Sequence, residues 1–235
     1  MELKKKLIRA LKRGRDAEQE FIQSLSDENR SEAGKADAWA AKDECAHMAV
    51  WQQRRAISYM AWGRGEAMLA FDDYNRINAE DFESNRGLPW SDVQVSLEQG
   101  SGMMIDCAQA LTEEQLRANP DEGPPMWVRI IGVGFTHSIM HITDYLFRHD
   151  EVEKASALWE EAVGLLVDLD QDNNWQGTCR YNLACSYARS GQAERAVETL
   201  REALRLNPGL VEWSKSDSDF NSIRERPDYQ ALYEN

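Results

Sequence analysis

Proline, cysteine and histidine are all scarce in this chain, and basic residues are well outnumbered by acidic ones. Six prolines in 235 residues leave few points at which a helix is forced to stop. The four cysteines, Cys45, Cys107, Cys179 and Cys185, show no C-x-x-C spacing and fall within helical patterns. They read as reduced, mostly buried thiols of a cytoplasmic protein. Also missing are the apolar core of a secretory signal, about seven residues or more, and any run approaching a membrane span. With 27 Lys and Arg against 41 Asp and Glu, the net charge is −14, which argues against a nucleic-acid backbone as partner. The acidity is shared, −7 in residues 151–235 and −7 before them, so no acidic tail or basic domain stands apart. No serine–histidine–acid grouping, phosphate-binding glycine loop or glycosidase pair of carboxylates is present. The acids sit on solvated helix faces.

What the chain does have is helical periodicity over most of its length. Leu3, Leu7 and Leu11 recur every four residues beneath a basic face, a pattern that fits a bundle helix ending near Ser26 better than a membrane-surface helix. A second helix begins near Trp39, passes Trp51, Ile57 and Met60, and weakens at Trp62-Gly-Arg-Gly65. Ser91-x-x-Gln94 reads as a capping box opening a third, whose apolar face carries Met103, Met104, Ile105 and Leu111. Thr112-x-x-Gln115 starts a short segment, and Asn119 to Pro125 breaks the chain. A fourth helix then spans about Met126 to His149, with Met126 and Trp127 placed to act as an apolar lip if the preceding loop is a rim rather than a plain connection.

Three of the four histidines fall in these helices. His137 and His141, four residues apart, lie on one helical face with both imidazoles pointing the same way. Spacing alone leaves two readings: two polar side chains near a helix end, or two ligands of one ion awaiting a third. His47 is the candidate third. Asp43 and Trp51 share its face, Asp43 either orienting an imidazole or favouring the first turn through the helix dipole. Cys45 points away.

These pieces, in this order, resemble the DinB/YfiT-like four-helix-bundle superfamily. The match runs through Trp39-Ala-Ala-Lys-Asp-x3-His47-x3-Trp51, Asn78 to Trp90, Leu111 to Leu116 and Thr136-His137-x3-His141. It covers roughly residues 1–150 and is nearest the colibactin-self-resistance branch (ClbS/DfsB type). Ala40 stands where the family usually has serine, and Ser138 where that branch tends to carry tyrosine. The resemblance implies a divalent ion, zinc or nickel, on His47, His137 and His141; Asp43, Trp51, Trp127 and Asp144 are the candidates to surround it. It also implies chemistry on an electrophilic small molecule, by a metal-dependent hydrolase or thiol-dependent transferase.

The remainder is a different module. Leu183, Ala184, Tyr187, Gly191, Ala196, Leu200, Ala203 and Pro208 resemble the tetratricopeptide repeat signature. Small residues let two helices approach, Gly191 makes the turn, and Tyr187 and Leu200 fill the space. Ala155, Trp159 and Ala162 repeat the second-helix spacing before an acidic break, Asp168 to Asn174, that lacks the glycine and terminal glutamate of a calcium loop. Helix four is expected to double as the first helix of this degenerate repeat, and residues 217–233 to cap the module's apolar end.

The expected fold is all-α: an up-down four-helix bundle over residues 1–150, then a short tetratricopeptide-like helical hairpin module over 151–235. Besides the enzyme reading, two alternatives stand: an interaction scaffold built on the repeat, and a bundle that sequesters a small molecule without turnover. The partners expected are a small-molecule substrate, a protein or peptide at the repeat, and a second copy as homodimer, with no nucleic acid and no membrane.

Overall fold

The computed structural model describes residues 2–234. Every regular element in them is helical, apart from one isolated backbone bridge between Lys35 and Ala38. No helix among the described residues is long and apolar enough to cross a membrane. The chain divides into two compact units, Met1–Tyr145 and Leu146–Asn235.

The first unit runs α1 (Glu2–Ser24), α2 (Asp27–Ser31), α3 (Ala41–Gly63), α4 (Tyr74–Asn85), α5 (Trp90–Ala110), α6 (Glu113–Arg117), α7 (Met126–Ile131), a π-helical turn (Gly132–Thr136) and α8 (His137–Arg148). The leucine ladder of α1 continues as Gly14, Ala17 and Phe21, giving one buried stripe that packs along α5. Helix α1 stops at Ser24, near the expected end, and the Ser26 hydroxyl accepts from the Asn29 amide and opens α2. Helix α3 packs against both α4 and α5. Its first half is buried almost all round, from Ala41 to Ala49, so a carboxylate or imidazole there is a core side chain. It ends at Gly63, two residues before Gly65 takes φ +86.

One sequence expectation changes here. The capping box at Ser91 does not form. The extended Pro89 leads straight into a helix starting at Trp90, so Ser91 already lies inside the first turn and donates to Asp92. Helix α4 has no strong apolar period, since Phe82 is its one buried residue, and it is held sideways by α3. The Arg54 guanidinium pairs with both carboxylate oxygens of Asp81, and the Trp51 indole N–H donates to Asn78 at 2.9 Å. The box at Thr112 and Gln115 does form, with reciprocal bonds of 3.1 and 2.9 Å.

The chain from Met126 onward follows an unusual rule. Buried residues come in pairs four apart: 126/127, 130/131, 134/135, 138/139 and 142/143. At 3.6 residues per turn a strict four-residue repeat drifts about 40° each step and would rotate off the core within a few turns. The wider π-helical turn, in which the His137 amide donates to the Gly132 carbonyl, absorbs that drift and keeps His137 facing inward. Close packing holds the turn in place. A Cβ on Gly134 would lie 2.6 Å from the Leu11 side chain, and one on Gly14 2.9 Å from Phe135. Met126 and Trp127, expected as an outer lip, are core residues instead, 0 % and 4 % exposed.

The second unit comprises α9 (Val152–Leu169), α10 (Asn173–Arg189), α11 (Ala193–Leu206), α12 (Val211–Ser216) and α13 (Pro227–Gln230). The acidic break is a helix start: the Asp172 carboxylate accepts from the amides of Asn174 and Trp175. Helices α10 and α11 pack on each other across a turn in which Gly191 adopts φ +72, with Ala184, Ala188, Ala196 and Ala203 fully buried between them. Phe220, Ile223 and Tyr229 from the tail join the same core, which gives them the expected capping position.

Candidate functional site

Helix α3 supplies His47, and the segment just after the π-helical turn supplies His137 and His141. Their rings meet: the Nε2 of His137 lies 3.2 Å from that of His47 and 3.1 Å from that of His141. All three ligand atoms fall within 4.8 Å of one another. Nitrogens bound to one zinc at about 2.1 Å sit about 3.4 Å apart in a tetrahedron and about 3.0 Å apart on an octahedral face. Both separations from His137 fall between the two, so the donor set fits a divalent ion.

Protonation favours the same conclusion. Burial, reinforced by the neighbouring imidazoles, lowers the His47 pKa to about 2, and burial lowers that of His137 to about 3. Both rings are therefore neutral near pH 7 and have lone pairs to give. His141 is oriented through its other nitrogen: Nδ1 lies 2.6 Å from Glu44 Oε2, so Nδ1–H donates to the carboxylate and Nε2 is left facing the other two rings. The buried Nδ1 of His137 has no hydrogen-bond partner.

Asp43, which the sequence left between orienting an imidazole and favouring the first turn of its own helix, makes no hydrogen bond to an imidazole among the described residues. Asp43 accepts from the Ala40 amide at 3.0 Å and closes the start of its own helix, where Ala40 offers no side-chain cap. Neither is it a surface carboxylate, being 7 % exposed. Trp51 does stand at the site, its ring edge-on to His47 at 6.4 Å. Trp39 is closer, 4.8 Å from His47 and stacked at 6.2 Å on His141, with Phe82 stacked at 6.3 Å on the Trp39 ring. Trp127 and Asp144 are not brought to the histidines' cavities: Trp127 is core, and Asp144 lies half-buried one turn beyond His141. Cys45 is fully buried and outside the ligand group, as its spacing predicts.

Two openings flank the imidazoles. A narrow one is bounded by Trp39, Asp43, His47, Asp81 and Phe82. A cavity of about 240 Å³ is lined by His47, Trp51, Arg55, Tyr74, Asn78, Val133 and His137, small for a ligand pocket but reaching two of the three rings. Beneath the histidines, Glu18 is fully buried and accepts from Gln52 at 2.6 Å and Ser138 at 2.7 Å. Burial raises its pKa to about 7, against the lowering effect of those hydrogen bonds.

Sequence reasoning found the three histidines and missed Glu44, Trp39 and Glu18. Glu44 stands three residues before His47, yet serves the ring of another helix; only the packing of α3 on α8 reveals it. All four cysteines are free and buried, and burial pushes the Cys107 and Cys179 thiols up to about 12, which makes them poor nucleophiles.

Among known proteins, residues 178–210 match the tetratricopeptide repeat family, a stretch that takes in most of α10 and all of α11. No curated protein and no solved structure matches the chain.

Proposed function

We propose that residues 1–150 form an up-down four-helix bundle of the DinB/YfiT-like kind whose three histidines hold a divalent ion, zinc or nickel. The protein then acts as a metal-dependent hydrolase or transferase on an electrophilic small molecule. The observation that carries this reading is the meeting of three Nε2 atoms from two distant segments at separations of 3.1 and 3.2 Å.

A bound ion there supplies a Lewis acid able to polarise an electrophile or lower the pKa of a water or thiol. The chain's own residues prepare that chemistry. His47, His137 and His141 bind as neutral donors, so none of the ion's charge is cancelled by a ligand. Glu44 holds the proton on His141 Nδ1 and fixes the ring's direction. Trp39, Trp51 and Phe82 wall the site with apolar surface and keep bulk water from the reacting atoms. The test is elemental analysis of protein purified without a histidine tag, after zinc or nickel is supplied. About one ion per chain is expected, lost in His137→Ala. No ion at any stoichiometry would overturn the reading.

A second reading rests on the match over residues 178–210. Repeats of this family pack helices into surfaces that hold peptides, so the second unit is proposed to engage a protein partner. A peptide bound by the full chain with equal affinity before and after His137→Ala would make the interaction independent of the histidines.

A further inference from the structure

Two neighbouring arginines on α3 have opposite fates. Arg54 is neutralised by Asp81 through two hydrogen bonds. Arg55 has no carboxylate partner among the described residues, in a chain of net charge −14. Its guanidinium is instead braced by aromatic rings, with centroids at 4.5 Å for Phe71, 5.5 Å for Trp51 and 5.8 Å for Tyr74. One N–H donates to the Tyr74 hydroxyl at 2.6 Å. Aromatic faces hold a guanidinium still without cancelling its charge, and leave hydrogen-bond donors to spare.

That cation lines the same 240 Å³ cavity as His47 and His137. His47, Trp51 and Arg55 are spaced four residues apart, so they line one face of α3. Eight residues of helix place the guanidinium and the imidazole of the order of 10 Å apart along the cavity wall. Asn78, from α4, adds an amide to the lining, already fixed by the Trp51 indole N–H.

We propose that the cavity's ligand is an anion, carrying a carboxylate or phosphate on Arg55 while its reacting end lies at the histidines. A preorganised guanidinium makes paired hydrogen bonds to such a group. Arg55 is thus a substrate-positioning residue, setting which end of the molecule enters first. This inference rests on the three-histidine ion site proposed above.

The test uses the full-length chain loaded with cobalt(II), whose visible and near-ultraviolet spectrum reports a thiolate joining the ion. The probes are 6-mercaptohexanoate and 6-mercaptohexanol, which share a thiol and an alkyl chain and differ in end charge. The carboxylate probe is expected to bind at least tenfold more tightly. Arg55→Leu is expected to erase that preference while cobalt loading persists, and Arg55→Lys to keep part of it. Cobalt bound with both probes titrating alike, or the preference surviving in Arg55→Leu, would overturn the anion inference alone. Failure to retain cobalt, zinc or nickel alike would overturn the ion site and this inference with it.

Discussion

Asp43 and Glu44 are adjacent acids on one helix with different roles, and the difference marks how far side-chain spacing can be read. Four residues separate Asp43 from His47, so helical geometry nominates Asp43 as its partner. That geometry says nothing of a second helix, and the carboxylate that orients an imidazole is Glu44, which reaches His141. Replacing Glu44 by alanine frees that ring to turn and to change tautomer. Zinc affinity is expected to fall about 10- to 100-fold, read by competition with a chromophoric chelator. An unchanged affinity would show the carboxylate to be a bystander.

Glu18 yields a pH prediction. Its pKa in the fold is raised from 4.5 to about 7, so the native state favours the protonated acid. Oxygens of both Glu18 and Gln52 lack partners, and a proton on the carboxyl supplies the donor they want. Stability from this group is fully present below pH 4.5 and is lost as pH rises toward 7, a penalty of about 3 kcal/mol above that. Glu18→Gln mimics the protonated form. The variant should match the parent near pH 4.5 and exceed it at pH 8 in urea denaturation. Both proteins carry the same depressed histidines, whose acid destabilisation cancels in the comparison.

At the scale of elements, the long helices were legible because their apolar stripes repeat at helical spacing, as in Leu3, Leu7 and Leu11. Helix α4 was not, because Arg54–Asp81 and Trp51–Asn78 hold it where apolar burial does not. The four-residue repeat from Met126 was on view in the sequence, yet its consequence, a π-helical turn delivering His137, follows only once the drift of an α-helix is counted. Gly134 permits the turn to lie against α1. Gly134→Ala would place a methyl 2.6 Å from Leu11 and 3.2 Å from Met104, and is expected to lose about 1–3 kcal/mol in urea denaturation. Gly132→Ala meets no atom within 4 Å, so it should be neutral or gain up to about 1 kcal/mol.

At the scale of the whole molecule, the histidines, Glu44, Arg55 and their cavity all belong to the first unit, while the repeat match and tail belong to the second. The repeat signature was the most legible part of the chain because each position answers a single physical need, with small residues between the helices and glycine in the turn. The tail's partner in packing was less so, since Phe220 stands in a polar stretch, Ser216 to Ser222. It is nevertheless fully buried, edge-on to Tyr181 at 5.5 Å and 5.9 Å from Tyr229. Phe220→Ala removes the ring that closes the second core and is expected to lose about 3–5 kcal/mol there, seen as an earlier unfolding transition. Zinc stoichiometry measured below that transition should stay at one ion per chain, because no ligand or cavity residue lies beyond Tyr145. Loss of the ion in this variant would mean that the histidines depend on the second unit for their arrangement.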